Sequence, residues 1–358
     1  MTYNKVQFIA YRVCTGPGQD PERYIGPSDE ADDVRQRVRL MTEAVNRARP
    51  EVDHSPEVLK IFIAPEFYFR SMYGGYADLK FFAGEGAGRD PNSVVGGLAN
   101  AVQGEQWKDW LFVFGTSVVV AGPFIPPDTT KDPNTAGKIE VLNIALVQKG
   151  GFANEDERTA KAVAIVKQYK SPVDWGDYPD VRYKNDQVAY FSAWPHSYKA
   201  ELNSSGNTGG SIFKLDGITF GLEVCADHGM KRLRLAKPLA GDVYVQIQLV
   251  PSAGATISAQ SVATLKGGLV CNVDGADGQT MSSPDDGHGY HSELFSVTSS
   301  DQPMLPSDLR AIAAKTTIDG NADLDEIKKV FWLPPDYLRW LPQLVIYEVA
   351  NIPPPVKR

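Results

Sequence analysis

The sequence predicts an α/β fold built from mixed sheets. Short, continuous apolar runs such as residues 59–64 are typical of strands that are covered on both faces. Residues 29–48 carry apolar side chains at spacings of three and four, which is the period of a helix with one buried face. Later in the chain, two apolar runs are joined by Asp216-Gly217, which is typical of an antiparallel hairpin. Helices between the early strands, followed by hairpins, indicate that parallel and antiparallel pairs share the same sheets.

The first helix has clear start and stop signals. Ser28 is expected to cap it, and an acidic first turn complements the helix dipole. Pro50 ends it. A second helix is expected to begin at Asn92 or Ser93 and to continue through Val102. We expect strands at residues 6–13, 59–64, 110–120, 141–148, 162–169, 188–191, 211–215, 218–224 and 243–250.

The composition is that of an ordinary globular protein. The 358 residues include 36 Lys and Arg against 44 Asp and Glu, which gives a formal charge of −8 and a pI near 5.3. Nucleic-acid and membrane surfaces are bound through clustered positive charge, so we expect neither partner. The amino terminus lacks the long apolar segment of a secretory peptide, and no apolar run is long enough to cross a bilayer. These observations predict a cytoplasmic protein.

The chain is long enough for one large domain. The sequence becomes more irregular after about residue 301. This change predicts a domain at residues 1–300. Residues 301–358 would then be a C-terminal extension that packs on this domain or on an oligomer partner.

Three apolar runs end abruptly in a polar, reactive residue. These residues are Glu66, Lys167 and Cys225. Ligands bind at strand ends in α/β sheets, because rigid strands hold the side chains while loops admit the substrate. A thiol that attacks, a carboxylate that takes its proton and an ammonium that stabilises an oxyanion form a working set for acyl transfer.

Each of the three also has a simpler explanation. A lone Glu in a turn is usually solvated, a lysine at a strand end usually reaches water, and a free cysteine is usually a small buried hydrophobe. The functional hypothesis therefore depends on the three occurring together. Cys14 and Cys271 lie in other apolar segments and are expected to be structural. Three cysteines cannot all pair, and none lies in a CxxC motif typical of zinc sites.

Two other groups could carry chemistry. Residues 285–291 contain two aspartates with His288 and His291, which could hold a metal, although their glycine-rich context favours a surface loop. His228 follows Cys225 by three residues and suggests a Cys–His pair. Its position on a strand-to-turn segment makes direct pairing unfavourable, so we expect a substrate contact or a structural role.

The motifs around the three residues occur in an order that resembles a known family. The motifs are Ile-Phe-Ile-Ala-Pro-Glu-Phe-Tyr-Phe at residues 61–69, Phe-Gly-Thr-Ser at 114–117, Leu-Asn-Ile-Ala-Leu-Val at 142–147, Asp-Gly-Ile-Thr-Phe-Gly-Leu-Glu-Val-Cys-Ala-Asp at 216–227, and Val-Pro-Ser-Ala at 250–253. Together they resemble the nitrilase, or carbon–nitrogen hydrolase, superfamily over residues 5 to 300.

This resemblance implies a fold, a reaction and a set of catalytic residues. The fold would be an α-β-β-α sandwich of two mixed sheets flanked by helices. The reaction would be hydrolysis of a non-peptide amide through a thioester on Cys225, with Glu66 as general base and Lys167 stabilising the oxyanion. The resemblance implies a small-molecule amide substrate, no cofactor, no metal, and a homodimer or larger homo-oligomer. Nitrile hydrolysis or acyl transfer with the same residues, or a non-catalytic scaffold with this fold, are the alternatives.

The sequence departs from the family pattern at several positions. Either Lys167 or Lys170 could be the family lysine, and Lys167 is preferred because it ends the apolar run directly. The second glutamate of many family members is missing, and Asp174 or Asp177 could replace it. Asp227 is followed by His228-Gly229 instead of the usual Asp-x-Arg continuation. If the lysine charge lies close to Cys225, we expect it to favour the thiolate.

Overall fold

A computed structural model describes most of the chain. It covers residues 3–16, 24–84, 90–120, 139–171, 174, 182, 188–190, 211–236, 244–276, 292–301, 303–331, 333 and 341–356. The strands are β1 (Lys5–Arg12), β2 (Val58–Ala64), β3 (Trp110–Val120), β4 (Ile139–Lys149), β5 (Ala162–Val166), β6 (Val188–Tyr190), β7 (Ile212–Leu215), β8 (Ile218–Leu222), β9 (Ile247–Ser252), β10 (Leu269–Asp274), β11 (Ser292–Val297), β12 (Leu309–Ala311), β13 (Ala314–Asp319), β14 (Gln343–Tyr347) and β15 (Ala350–Asn351). The helices are α1 (Glu30–Ala48), α2 (Lys80–Ala83), α3 (Val94–Val102), α4 (Glu155–Ala160), α5 (Ala226–Gly229), α6 (Arg232–Leu235) and α7 (Leu324–Lys328).

The strands form two mixed sheets. The first has the order β13-β14-β1-β2-β3-β4-β5, with β15 paired to β1 and β6 paired to β4. In it, β1, β2 and β3 are parallel, and most of the other pairs are antiparallel. The second sheet has the order β12-β11-β10-β9-β8-β7, with β8, β9 and β10 parallel. The expected mixture of parallel and antiparallel pairs is therefore confirmed.

The two sheets pack face to face around an apolar core. Alternate residues of each strand point into this core, for example Phe8 and Ile61 from the first sheet with Phe220 and Leu249 from the second. The residues between them point outwards and pack against α1 and α3. On the outer face of the second sheet, a side chain of α6 lies against Gly221 of β8. This arrangement confirms the predicted sandwich of two mixed sheets flanked by helices.

The caps of two helices agree with the predicted starts to within one residue. Asp29, and not Ser28, caps α1, because its carboxylate accepts the amides of Ala31 and Asp32. Ser93 caps α3 and accepts the amide of Gly96.

Two predicted strands depart from their expected bounds by three or more residues. β5 was expected to reach residue 169 but ends at Val166, because the amides of Gln168 and Tyr169 bond to the Asp227 carboxylate and not to a neighbouring strand. β9 begins at Ile247, four residues later than predicted, and the amide of Tyr244 bonds to Val356 near the carboxyl end of the chain.

The residues after position 301 supply part of the first sheet. β14 lies between β13 and β1, and β15 pairs with the beginning of β1. The division of the chain at residue 301 stays a prediction. Among the residues that the structure describes, no helix is both long and apolar enough to cross a membrane.

Gly115 makes room for the turn that follows β2. Its φ is +72°, and a Cβ at this position would lie 2.2 Å from the carbonyl oxygen of Pro65. The register of β3 against β4 shifts here, which brings the Thr116 hydroxyl to the amide of Phe67 at 2.8 Å. Glycine is needed because other residues are strained at this φ and would collide with the backbone.

We expect Gly115→Ala to destabilise the protein by about 2 kcal/mol or more, since it adds both backbone strain and a steric collision. Urea denaturation measures this change. Gly229→Ala is the matched control, because a Cβ there would meet nothing within 4 Å. Equal unfolding midpoints for the two variants would contradict the proposed need for glycine at position 115.

Candidate active site

The structure brings the three predicted strand-end residues together at one edge of the sandwich. Glu66 follows β2, Lys167 follows β5, and Cys225 follows β8. The Lys167 Nζ lies 2.9 Å from the Glu66 Oε1. The amides of Glu66 and Cys225 bond to the carbonyls of Ser252 and Pro251 at the end of β9, so one strand of the second sheet holds both turns. All three side chains are buried, with Cys225 the most exposed at 6%.

The two oxygens of Glu66 have different surroundings. Oε1 accepts hydrogen bonds from the Asn143 Nδ2 at 2.7 Å and from the Lys167 Nζ at 2.9 Å. Oε2 has no conventional hydrogen-bond partner among the described residues. The Cys225 thiol lies near enough to favour the ionised form of this carboxyl. Oε2 is therefore the oxygen that can take a proton.

Lys167 is the lysine of the cluster. Besides Glu66, its ammonium bonds to the Asp174 carboxylate and makes a long contact of 3.5 Å to the Ser171 hydroxyl. The side chain of Lys170 is exposed. Of the two acidic residues suggested as replacements for the second glutamate, Asp174 is in the cluster, and Asp177 lies outside the described residues.

Cys225 occupies a strained turn between β8 and α5. Its φ is +47° and its ψ is −105°, a conformation that a residue with a side chain rarely adopts. Such a conformation costs about 1–3 kcal/mol and persists only where the surroundings enforce it. The Cys225 amide bonds to Pro251, its carbonyl accepts the amide of His228, and its Sγ lies 3.8 Å from the Ala253 carbonyl. These contacts fix the direction of the thiol.

Asp227 and Arg232 connect the cysteine turn to the end of β5. The Asp227 carboxylate accepts the amides of the two residues that follow Lys167, at 2.9 and 2.8 Å. The Arg232 Nη1 donates to Asp227 at 2.6 Å and to the Val166 carbonyl at 2.8 Å. The backbone on both sides of Lys167 is thereby tied to the turn that carries Cys225.

His228 does not face the thiol. Its Nδ1 lies 2.7 Å from the Glu223 carboxylate, and its Nε2 accepts the amide of Ser258 at 3.0 Å. Glu223 also accepts the amide of Leu233 and the side-chain amide of Gln248. Both ring nitrogens are thus used in a buried network beneath the cysteine turn, which is a structural role.

Burial and neighbouring charges shift the acidities of Glu66 and Lys167. Burial raises the pKa of Glu66 to about 7, although the Lys167 ammonium opposes this rise. For Lys167, burial acts to lower the pKa, but the Glu66 and Asp174 carboxylates reverse this effect and the pKa is raised. The lysine therefore stays charged, while Glu66 can gain and lose a proton near neutral pH.

Lys167 acts to lower the pKa of the Cys225 thiol, as expected, but it does not decide the direction of the shift. The pKa of Cys225 is raised well above its usual value, first by burial and then by the Glu66 carboxylate, and Lys167 only partly offsets them. A neutral thiol next to a base, and not a preformed thiolate, is the resting state that this geometry favours.

The described residues contain no group of three or more His, Cys, Asp or Glu side chains that could hold a metal ion. The candidate metal loop at residues 285–291 lies outside the described residues. Cys14 and Cys271 are buried, and they do not form a disulfide bond with each other or with Cys225.

Sequence reasoning assigned no role to Asn143, Arg232 or Arg70. Asn143 lies in the quoted motif at residues 142–147, so its position was visible although its contact with Glu66 was not. Arg232 follows Asp227 by five residues instead of two, so no local motif could find it. Arg70 is 2% exposed and contacts the Asp174 backbone from a distant part of the chain, for which sequence offers no signal.

No protein-family model matches the sequence, and no similar protein is found among the curated ones. Among solved structures, the chain is similar to Nit3 of Saccharomyces cerevisiae, which is described as a member of branch 10 of the nitrilase superfamily. The identity is 13%, the match covers 84% of this chain and 88% of that one, and the TM-score is 0.44.

An amidase from Nesterenkonia sp. is similar at 12% identity, over 99% of this chain and 92% of its own, with a TM-score of 0.42. A cysteine-to-alanine mutant of the amidase from Nesterenkonia sp. AN1, in complex with butyramide, is similar at 12% identity, over 98% of this chain and 92% of its own, with a TM-score of 0.42. Because these TM-scores are low, the proposed function depends on the sequence and the contacts of this chain.

We expect Lys167→Met to destabilise the protein by about 3–5 kcal/mol, because it leaves the buried Glu66 and Asp174 carboxylates without their cation. The loss should be larger at about pH 8 than at about pH 5. Without the lysine, the pKa of Glu66 rises further above its unfolded value, so the folded state loses stability as pH rises and the carboxyl must ionise.

Denaturation curves at both pH values measure this loss. Lys170→Met is the matched control and should change the free energy of unfolding by less than about 0.5 kcal/mol, since its side chain is exposed. Equal losses for the two variants, or a loss for Lys167→Met that does not depend on pH, would exclude the proposed burial of the lysine charge.

Proposed function

We propose that this protein is a thiol-dependent carbon–nitrogen hydrolase of the nitrilase superfamily. In this proposal it cleaves a non-peptide amide through a thioester on Cys225, with Glu66 as general base and acid and Lys167 as oxyanion stabiliser. The motif resemblance and the buried cluster of the three side chains support this assignment. A cytoplasmic location, which the sequence suggested, and a homo-oligomeric state, which the family resemblance implies, stay predictions.

The observation that carries the proposal is the unequal bonding of Glu66. Two donors hold Oε1, while Oε2 is left without a conventional partner beside the thiol. A carboxylate anchored in this way cannot rotate freely, and its second oxygen keeps its lone pairs for proton transfer. A pKa of about 7 suits a general base that works near neutral pH.

In the first half of the proposed reaction, Glu66 takes the thiol proton while the Cys225 sulfur attacks the amide carbonyl. The carbonyl π electrons move onto oxygen and form a tetrahedral oxyanion. When this intermediate collapses, the carbon–nitrogen bond breaks, and Glu66 gives the proton to the departing amine. The products of this half are a thioester and ammonia or an amine.

In the second half, water attacks the thioester and Glu66 takes one of its protons. Collapse of the second tetrahedral intermediate breaks the carbon–sulfur bond, and the proton returns to sulfur. The carboxylic acid leaves and the enzyme is regenerated, with one water consumed for each amide cleaved. General-base catalysis of this kind contributes about 10²–10⁴-fold to the rate.

The contacts of Lys167 suggest which of its three N–H groups can donate a hydrogen bond to the oxyanion. An ammonium has three N–H donors, and two of them are directed at the Glu66 and Asp174 carboxylates. The third makes only the 3.5 Å contact to Ser171. This weakly held donor is the one available to an oxyanion formed at Cys225. The amide of Ala226, the residue after the nucleophile, is the second donor in this proposal.

We expect Cys225→Ala to abolish ammonia release from a panel of primary amides while its melting temperature stays close to the wild type. Cys14→Ala is the control with a buried cysteine outside the cluster, and it should keep full activity. Full activity in Cys225→Ala would disprove the mechanism.

Product analysis decides between the related reactions. Ammonia and acid from an amide indicate an amidase, consumption of a nitrile indicates a nitrilase, and formation of a new amide indicates acyl transfer. A non-catalytic scaffold would show none of these, and its Cys225 would react with iodoacetamide no faster than Cys14 and Cys271.

The value of kcat/KM should rise with pH through about 7, because Glu66 must be ionised to take the thiol proton and its pKa is raised to about 7. Asp174→Asn should move this rise to lower pH, since the Asp174 carboxylate is one of the groups that raise the pKa of Glu66. Steady-state assays across the pH range test both statements. A rate that is independent of pH around neutrality would show that Glu66 is not the base.

A further inference from the structure

Arg70 is a buried cation held between two aromatic rings. Its guanidinium carbon lies 3.7 Å from the ring centre of Tyr24 and 4.2 Å from that of Phe67. The residue is 2% exposed. Phe67 directly follows Glu66 and has a φ of +63°, so the ring that Arg70 contacts belongs to the same strained turn as the general base of the proposed reaction.

Arg70 also donates hydrogen bonds to two backbone carbonyls that are far apart in the sequence. Its Nε donates to the Gly74 carbonyl at 2.9 Å, and its Nη2 donates to the carbonyl of Asp174. The side chain of Asp174 in turn accepts from the Lys167 ammonium and from the amide of Ser171. Arg70 thus contacts the turn that carries Glu66 through the Phe67 ring, and it contacts Asp174 through a hydrogen bond to its carbonyl.

We propose that Arg70 is a positioning residue, which holds the Asp174 carboxylate against Lys167. In this position the carboxylate limits how strongly the lysine charge stabilises the thiolate of Cys225. This inference rests on the proposed function, because it concerns the reactivity of the same thiol. Arg70 acts through Asp174 and not by direct contact with the reacting atoms.

The geometry requires an arginine. A planar guanidinium can lie between two rings and still donate from its edge to carbonyls in two directions. A lysine keeps the charge and the interaction with the rings, but its compact ammonium cannot reproduce both carbonyl bonds across the same distance. Arg70→Lys therefore keeps the positive charge but loses the hydrogen bonds to the two carbonyls, so it separates these two effects.

Burial is the largest cause of the raised pKa of the Cys225 thiol, and the charged groups around it shift this pKa further. Glu66 and Asp174 act to raise the pKa of Cys225, and Lys167 acts to lower it. Asp274, buried at the end of β10, lies close enough to affect Glu66. If Arg70 no longer holds Asp174, the carboxylate moves away from the cluster and less of the lysine charge is neutralised. The pKa of the Cys225 thiol should then fall.

The pH dependence of Cys225 alkylation by iodoacetamide tests this inference without a known substrate. The rate at Cys225, localised by mass spectrometry, is measured for the wild type, Arg70→Lys, Asp174→Asn and the double variant. We expect Asp174→Asn to lower the alkylation midpoint by about one pH unit, in the range typical for one nearby charge. Arg70→Lys should lower it by at least half as much, and the double variant should show no further shift.

Arg49→Met is the matched control, because Arg49 lies over the Trp107 ring away from the cluster, at 5.7 Å. It should leave the midpoint unchanged. Arg70→Met, if it folds, should shift the midpoint in the same direction as Arg70→Lys.

Three results would overturn the inference: a wild-type midpoint in Arg70→Lys, an unchanged midpoint in Asp174→Asn, or additive shifts in the double variant. If Cys225 of the wild type is reactive and one of these results is found, the inference fails but the proposed function still stands. An unreactive Cys225 in the wild type would overturn the proposed function and this inference with it.

Discussion

The Lys167 ammonium is enclosed between the Glu66 and Asp174 carboxylates, and none of the three side chains has exposed surface. Charges are costly to bury unless they are paired, so this arrangement forces the surrounding chain into one geometry. The turn after β2 must bring Glu66 inwards, β5 must end where Lys167 can reach it, and the Asp174 carboxylate must lie against the lysine ammonium. Much of the site's architecture serves to meet these requirements.

The same constraint explains the acidities of the site. A single lysine shared by two carboxylates stays protonated, but burial and the Glu66 carboxylate together raise the pKa of the Cys225 thiol more than this lysine lowers it. The pKa of the buried Glu66 is instead raised to about 7, so this carboxyl can exchange protons at neutral pH. The cluster therefore favours proton transfer from a neutral thiol to a base, which differs from the activation of a thiolate by an adjacent cation.

Strand ends supply the rigid frame for this chemistry. β2, β5 and β8 each stop one to three residues before the residue that they position, and β9 holds the Glu66 and Cys225 turns through its backbone carbonyls. The strained backbone of Cys225 is maintained by the Glu223–His228 network below it and by Asp227 and Arg232 beside it. His228, for which the sequence analysis expected a substrate contact or a structural role, helps to hold the turn in place.

The local sequence pattern was sufficient to predict much of the secondary structure and three residues of the candidate site. Apolar periodicity predicted β1 to β9 and two helices, because the period of a strand or helix is set by residues that are neighbours in sequence. The motif order identified Glu66, Lys167 and Cys225 as residues to consider together. The sequence by itself preferred Lys167 to Lys170 without excluding Lys170, and it could not find the contacts of Asn143, Arg232 and Arg70. These depend on contacts between residues up to about a hundred positions apart, and only the packing of the two sheets determines which of them meet. The direction of the thiol's pKa depended on the same packing, since burial and a shared lysine charge are properties of the folded chain.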